Sequence, residues 1–419
     1  MVPNVANMSK LNDIFDQLAK DIYAGKIKHG QVSPDMIRAT ALKIFDGVKK
    51  GFDGNVTPNK YNIDQYTTLR KMRENVFVFS GFKDYHQIKE MSLLLTDNNG
   101  NIRSFDDFYK DVKLVNETYN KHYLQAEYDH AISTGIMAAK WEKFKAEADL
   151  FPMLRYRALH DGRTRREHLD LDGATYPIGH DFWKIYYPPN GWRCRCDVDQ
   201  VEKQAIKEPK SFPVLQPMFR NNVGIEGVVF PNTHPYFDND KRIVEVAKLG
   251  ANVARFSDPD ENGYQLVYKS KQGKNVKIHF EHKDSDVPYN FKYAKVCADN
   301  GEAINLRPDI QKDNVKNPEI ELSNGWIADF KEPEPDKSIK NSVEQNIKSA
   351  DKQGCNIPIL IMQDKYYDKV GIIRALDNIL SKSNKKKEIK GIWFIFKNKT
   401  LIKIERNEII EKTYYSKLP

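Results

Sequence analysis

The spacing of apolar residues changes along this sequence, and that change limits the possible fold more than any other feature. In residues 1–150 apolar positions recur at helical intervals, as in LNDIFDQLAKDIYAGKI. Residues 151–200 are irregular and rich in turns. After about residue 245, strand-like segments such as QLVYKS and IWFIF are separated by amphipathic helical segments. The sequence therefore predicts a multi-domain α+β protein with a helical N-terminal region and a C-terminal α+β domain that has a small antiparallel-rich sheet.

The boundaries between these parts follow from composition. Residues 201–244 contain five prolines spread among polar residues, which predicts an extended arm or linker. The domain after it spans 245–419. The prolines are Pro209, Pro213, Pro217, Pro231 and Pro235.

Positive charge is concentrated in the C-terminal part of the chain. Residues 241–419 hold 33 Lys and Arg against 26 Asp and Glu, whereas residues 1–240 hold 33 against 32. An excess confined to one segment indicates a polyanionic partner for it, such as nucleic acid. A lysine-rich solvated surface is the alternative.

Hydropathy and cysteine content favour an intracellular protein. No apolar run approaches the roughly 18 residues of a membrane helix, and no signal peptide is visible in MVPNVANMSKLND. Four cysteines in 419 residues are too few for a disulfide framework. We expect synthesis in a cytoplasm, with reduced thiols and no membrane segment.

Two of the four cysteines, Cys194 and Cys196, are separated by one residue and follow a Pro-Pro-Asn-Gly turn. His160 and His168 precede them in the same irregular segment. Thiolates and imidazoles are the preferred ligands of zinc, which can replace a missing apolar core. The pattern is compatible with a structural zinc site, with simple packing of small buried thiols, or with a catalytic Cys–His pair.

This part of the chain resembles the phage Mu F-like head morphogenesis proteins, which are minor head proteins found with the portal in tailed-phage capsids. The resemblance covers about residues 110–240. It sets the module at 110–200, after a helical region at 1–109, and implies capsid assembly, with portal and capsid proteins as partners. It also implies that the cysteines tie the last turn of the module against His168. The matching positions are Asp161, Arg163, Arg166, His168, Leu171, Asp172, Gly173, Phe182, Trp183, Pro188, Pro189, Gly191, Trp192, Cys194, Arg195 and Cys196.

A second group of polar residues lies in the basic domain. Glu319 precedes a Ser-Asn-Gly turn, and Asp329 and Lys331 follow it. A hairpin would place the three side by side, because residues two apart share a strand face. Carboxylates and a lysine suit phosphodiester cleavage, although a salt-bridged hairpin surface gives the same pattern.

A helix follows this hairpin. Ser338 opens it, and a helix N-terminus is a natural phosphate site. Gln353 ends it, and we expect its side chain to point back toward the hairpin.

Residues 245–410 resemble the C-terminal tRNase domains of contact-dependent growth inhibition toxins and related phage nucleases of the barnase/EndoU/colicin/RelE-like group. The resemblance implies a ribonuclease toxin acting on RNA such as tRNA, an immunity protein as partner, and catalytic roles for Glu319, Asp329, Lys331, Ser338 and Gln353. Glu319 replaces the more usual Asp after Pro318. The remaining shared positions are Asp299, Gly301, Ile304, Leu306, Ile339 and Ala350.

Two mechanisms fit these residues. A metal-free RNase would use Lys331 to promote attack by the 2′-hydroxyl, and the resemblance favours this one. A divalent-metal-dependent nuclease of PD-(D/E)xK type would hold the metal on Glu319 and Asp329. His279 and His282 are further acid/base candidates.

The sequence thus predicts a phage minor head protein with a C-terminal ribonuclease toxin domain, found in the host bacterial cytoplasm during assembly and then in the virion head. The alternative is a purely structural minor head protein whose C-terminal domain binds nucleic acid without cutting it.

Overall fold

The computed structural model describes residues 5–56, 61–257, 259, 263–334, 337–362, 367–381, 386 and 388–419. The chain divides into two compact units, Met1–Pro58 with Ile63–Arg255 and Asn59–Asn62 with Phe256–Pro419. The α+β, multi-domain fold class is confirmed. The finer division into four segments stays a prediction.

The first unit is mainly helical and carries a small antiparallel sheet of order β2-β1-β3. A π-helical segment, Glu117–Tyr123, joins α4 to α5. The helices are α1 (Val5–Tyr23), α2 (Pro34–Asp53), α3 (Ile63–Leu93), α4 (Phe105–Asn116), α5 (Leu124–Ala146), α6 (Arg166–Leu169), α7 (Phe182–Tyr186), α8 (Val223–Glu226) and α9 (Lys241–Phe256). The strands are β1 (Met153–Arg157), β2 (Thr175–Pro177) and β3 (Asp197–Val201).

Helices α2 and α5 cross with their backbones in contact, because each carries a glycine at the crossing point. A Cβ at Gly135 would lie 2.2 Å from the carbonyl oxygen of Val48, and one at Gly51 would lie 2.1 Å from that of Ile132. Only glycine permits this approach. The crossing therefore fixes the centre of the helical core.

A buried ion pair joins α3 to α5 in the same core. The Lys83 ammonium contacts the Glu127 carboxylate, and their side chains are 1% and 3% exposed. Substituting one partner of such a pair strongly destabilises the fold, because the other charge is then buried without a partner.

Part of the proline-containing segment 201–244 packs against this core. The ring of Phe230 stacks on that of Phe79 in α3, with centroids 3.8 Å apart. The side chain of Asn75 accepts hydrogen bonds from the backbone of Val229 and Phe230. The prolines thus limit regular structure without preventing burial.

The second unit is built on one eight-stranded sheet of order β11-β10-β9-β8-β7-β6-β5-β4, in which every strand lies beside its neighbour in sequence. Four strand pairs are antiparallel and three are parallel. The strands are β4 (Tyr264–Lys269), β5 (Asn275–His279), β6 (Ile304–Leu306), β7 (Ile320–Leu322), β8 (Ile327–Lys331), β9 (Ile357–Met362), β10 (Gly391–Phe396) and β11 (Leu401–Glu405). The helices are α10 (Val287–Asp299), α11 (Ile339–Lys352), α12 (Lys369–Ile379) and α13 (Arg406–Glu411).

Strands β8, β9 and β10 run parallel, so their carboxyl ends meet at one edge of the sheet. Lys331, Met362 and Phe396 are the last residues of these strands. Helices α11 and α12 cover one face of the strands with an apolar core that includes Val343, Leu360 and Phe394. Polar groups at the carboxyl edge of parallel strands commonly form ligand sites.

Candidate active site

The β7–β8 hairpin brings Glu319, Asp329 and Lys331 together. Ile320 pairs with Ala328, so the antiparallel register continues to Glu319 opposite Asp329. The Nζ of Lys331 lies 2.6 Å from Oδ2 of Asp329, and the two carboxyl groups are hydrogen-bonded to each other. The turn that connects the strands contains Gly325, whose φ of +81° favours glycine.

Burial perturbs the pKa of both acids. Burial, followed by the charge of Asp329, raises the pKa of Glu319 to about 7. Burial also raises the pKa of Asp329, and the neighbouring Lys331 opposes this effect. A carboxyl group with a pKa near 7 can take up and release protons at neutral pH. Perturbed acids beside a lysine at a sheet edge are typical of functional sites.

Helix α10 supports Glu319 through Asn290, which is fully buried. The Asn290 side chain hydrogen-bonds Glu319, and its Nδ2 lies 3.0 Å from Nε2 of His282. The Nδ1 of His282 contacts the carbonyl of Arg307. Both ring nitrogens of this histidine thus contact groups of the protein.

His279 lies apart from this network. Its ring packs edge-on against Tyr264, with centroids 5.0 Å apart, and its Nδ1 accepts from the backbone of Glu281. Its position is that of a packed strand residue.

Ser338 and Gln353 lie at opposite ends of α11, about 22 Å apart at 1.5 Å per residue. The exposed Ser338 caps the helix by accepting from the backbone of Asn341. The middle of α11 lies beside the end of β8, because Asn346 donates to the carbonyl of Glu332. Ser338 is thus about 12 Å along the helix from that point.

Gln353 lies beyond Asn346, at the end of α11 that is opposite to Ser338. Along β8, this is the direction from Glu332 back toward Asp329. The Oε1 of Gln353 is buried without a hydrogen-bond partner. This buried oxygen is a free hydrogen-bond acceptor at the end of α11, whereas Ser338 is exposed at the start of the helix.

A basic cavity of about 690 Å³ opens at the carboxyl ends of β9 and β10. Four lysines and three aromatic side chains line it. Tyr293 also contacts Phe330, which lies between Asp329 and Lys331, with ring centroids 5.8 Å apart. The only acid in the lining, Asp299, accepts a hydrogen bond from Tyr268. The four lysines of the lining are Lys292, Lys295, Lys397 and Lys399, and the three aromatic residues are Tyr268, Tyr293 and Phe396.

Sequence reasoning missed Asn290 and the cavity. The spacing of Lys292 and Lys295 on one side of a helix was a usable pattern for the cavity. Asn290 has no sequence signal, because its role depends on how α10 packs.

In the first unit, His168, Cys194 and Cys196 come together in the interior. Nδ1 of His168 lies 3.6 Å from Sγ of Cys194 and 3.5 Å from Sγ of Cys196. Hydrogen bonds from Cys196 and then His168 lower the pKa of the Cys194 thiol. His160 is not part of this group. It is exposed, and its Nε2 lies 2.8 Å from Asp172.

Two acids that carry the resemblance to the head morphogenesis proteins hold the loops around this cluster. Asp161 pairs with Arg195 and Arg163. Asp172 accepts from the backbone nitrogen of Ala158 at 2.8 Å. Their contacts are those of structural residues.

The fold and sites define a two-unit protein with a sulfur–histidine cluster in its first unit and an acid–lysine site on the mixed sheet of its second. In comparison with known proteins, a segment of each unit matches a family model. Residues 95–199 match the family model "Phage Mu protein F like protein". Residues 316–401 match the model "Contact-dependent growth inhibition CdiA C-terminal domain". The chain thus has one segment that is similar to the Mu F-like family and another that is similar to the CdiA C-terminal domain family.

Two curated relatives match part of the chain. The "Putative capsid assembly protein F" of Escherichia phage Mu is 32% identical over 115 residues, 26% of each chain. The "Mu-like prophage FluMu F protein" of Haemophilus influenzae is 38% identical over 74 residues, 18% of each chain. The chain therefore spans about a quarter or less of these relatives.

No solved structure gives a significant match to the chain. Among the described residues, no helix combines the length and apolar composition that crossing a membrane requires.

Proposed function

We propose that this chain is a phage minor head protein whose second unit is a nuclease that cleaves single-stranded RNA. The observation that carries the nuclease proposal is the placement of Glu319 opposite Asp329 with Lys331 in contact. The match of residues 316–401 to a toxin-domain family supports it.

The three side chains divide the chemistry of phosphodiester cleavage among them. Lys331 is held at the acidic pair and can stabilise the negative charge that develops on the phosphate. Glu319, with a pKa of about 7, is suited to accept a proton from the attacking oxygen. Asn290 orients Glu319 from α10.

The donor set of this site also fits a divalent cation such as Mg²⁺. Two adjacent carboxylates offer hard oxygen ligands, and burial disfavours their charges, which one lysine only partly balances. When bound, the cation would polarise the phosphate and an attacking water. This favours the metal-dependent mechanism over the metal-free one.

The basic cavity supports single-stranded RNA as the substrate. Lysines attract the backbone, and aromatic rings provide faces on which bases stack. The cavity opens at the carboxyl ends of β9 and β10, the edge of the sheet at which β8 also ends with Lys331. Nuclease action on cellular RNA requires protection of the producing cell, so we also propose an immunity partner.

The Mu F-like segment supports a role in the phage head, since one relative is named as a capsid assembly protein. We propose portal and capsid proteins as its partners, with assembly in the host cytoplasm and incorporation into the virion head. A structural protein that binds nucleic acid without cutting it is the competing function.

The test is inducible expression of the full chain, followed by gel analysis of total RNA. We expect discrete RNA fragments from the wild type and from Lys352→Met, which removes an exposed lysine of α11. Lys331→Met should give none. Intact RNA from the wild type, together with unchanged binding of RNA by both variants, would favour the structural function. EDTA then separates the two mechanisms, and a single-stranded DNA substrate tests the preference for RNA.

A further inference from the structure

We propose that His168, Cys194 and Cys196 bind one zinc ion that holds the irregular part of the first unit together. This inference rests on the first unit alone and is independent of the nuclease proposal. His168 lies on α6, and the two cysteines lie directly before β3.

The distances between the donor atoms fit a tetrahedral zinc site. Bond lengths of about 2.3 Å to sulfur and 2.0 Å to nitrogen put these ligands about 3.5 Å apart at the tetrahedral angle. The observed distances from Nδ1 of His168 are 3.6 Å to Cys194 and 3.5 Å to Cys196. All three donor atoms lie within 4.8 Å of one another.

Hydrogen bonding alone explains this arrangement less well. Nδ1 of an imidazole has either one lone pair or one proton, so it can form a direct hydrogen bond with only one sulfur at a time. Both sulfurs are nevertheless nearly equidistant from it. A shared metal ion accounts for both distances.

The surroundings are those of a structural site. His168 is 2% exposed, and the cysteines are 7% and 8% exposed. Both cysteines are free thiols. The ring of Tyr156 in β1 packs beside them, and its hydroxyl is in hydrogen-bond contact with Cys196. Among the described residues no further His, Cys, Asp or Glu joins the group, so a fourth ligand from outside this group would complete the coordination.

A zinc ion would stabilise a part of the fold that has little regular structure. The sheet of the first unit has only three strands, of three to five residues each, and a sheet of this size is marginal without further support. Zinc would join the loop after β1 to the start of β3, and its binding free energy would add to the stability of the fold. The two cysteines must lose their thiol protons to bind zinc, so zinc binding should weaken at low pH.

Metal analysis of the purified full-length chain tests the proposal directly. We expect one zinc per chain in the wild type and in Cys297→Ser, which removes a buried cysteine of the second unit. Cys194→Ser/Cys196→Ser should contain none. A wild-type chain without metal, with either two alkylatable thiols or a Cys194–Cys196 disulfide, would overturn the proposal.

Reconstitution gives a readout that does not depend on the folding of a variant. Wild type stripped of metal by a chelator should unfold at a lower temperature and recover with added zinc. Cobalt added instead should give thiolate-to-cobalt charge-transfer absorption, which is absent if the sulfurs are not ligands. Failure of RNA cleavage would leave these results unchanged.

Discussion

Replacing Glu319 by glutamine should stabilise the second unit at pH 8 while removing its nuclease activity. Burial and Asp329 raise the pKa of this acid from 4.5 to about 7 in the folded state. A raised pKa means that the folded protein holds the proton more tightly than the unfolded chain does. The resulting stability is complete below pH 4.5 and is lost as the pH rises through about 7. At pH 8 the wild type therefore carries the cost of a charged, buried carboxylate, which glutamine removes.

The size of the effect follows from the shift. A change from 4.5 to about 7 corresponds to about 3 kcal/mol at most, at 1.36 kcal/mol per pH unit. The side chain is not fully buried, so solvent screening reduces this to about 1–2 kcal/mol. Exchange protection of amides that open only with the second unit should then rise by about 5- to 30-fold.

Hydrogen exchange of the full chain, followed by mass spectrometry of β7 and β8 peptides, measures this change. The experiment compares Glu319→Gln with wild type at pH 8 and pH 4.5 in EDTA, after correction for intrinsic exchange rates. Glu411→Gln is the control, since Glu411 is exposed at the end of α13. Equal protection of wild type and Glu319→Gln at pH 8, or the same gain at both pH values, would refute the electrostatic reasoning.

Three further predictions concern the cavity and the helical core. The double variant Lys292→Ala/Lys295→Ala should raise KM for RNA about tenfold and leave kcat little changed. The number of ions released on RNA binding should fall by about 1.5. Cleavage kinetics at several salt concentrations measure both effects, and a fall in kcat as large as the rise in KM would contradict the prediction. Gly135→Ala should lower the free energy of unfolding by about 2–3 kcal/mol in a denaturation assay, because the added Cβ would overlap a backbone carbonyl. Gly179→Ala is the control and should leave this free energy unchanged, since the space around Gly179 is open. Lys83→Met should lower the free energy of unfolding by about 3–5 kcal/mol, and the double variant Lys83→Met/Glu127→Leu should lower it by less. If the losses of the two single variants add up in the double variant, Lys83 and Glu127 are not coupled.

The part of the candidate site that could be predicted from sequence is the part that depends on local geometry. Asp329 and Lys331 share a strand face because of the two-residue period, and the Asn-Gly turn brings Glu319 opposite them. The structure has this hairpin. The Cys194–Cys196 pair and His168 also meet in space, as the resemblance implied.

The remaining features depend on how elements pack, which no short motif encodes. The sequence gives the ends of α11, yet only the contact between Asn346 and Glu332 shows that Ser338 lies well away from Lys331. Asn290 reaches Glu319 because α10 packs on the sheet. His160 has a ligand-like position in the sequence but is exposed.

The strictly sequential strand order of the second unit has a mechanical consequence. A force applied to the chain beyond β11 would meet an outermost strand whose only sheet partner is β10. Peeling that strand breaks one row of hydrogen bonds and exposes the next strand to the same pull. We expect the sheet to unravel as a series of small steps from its edge. Such a domain could be threaded through a narrow opening as an extended chain and could re-form from nearest-neighbour pairings on the far side.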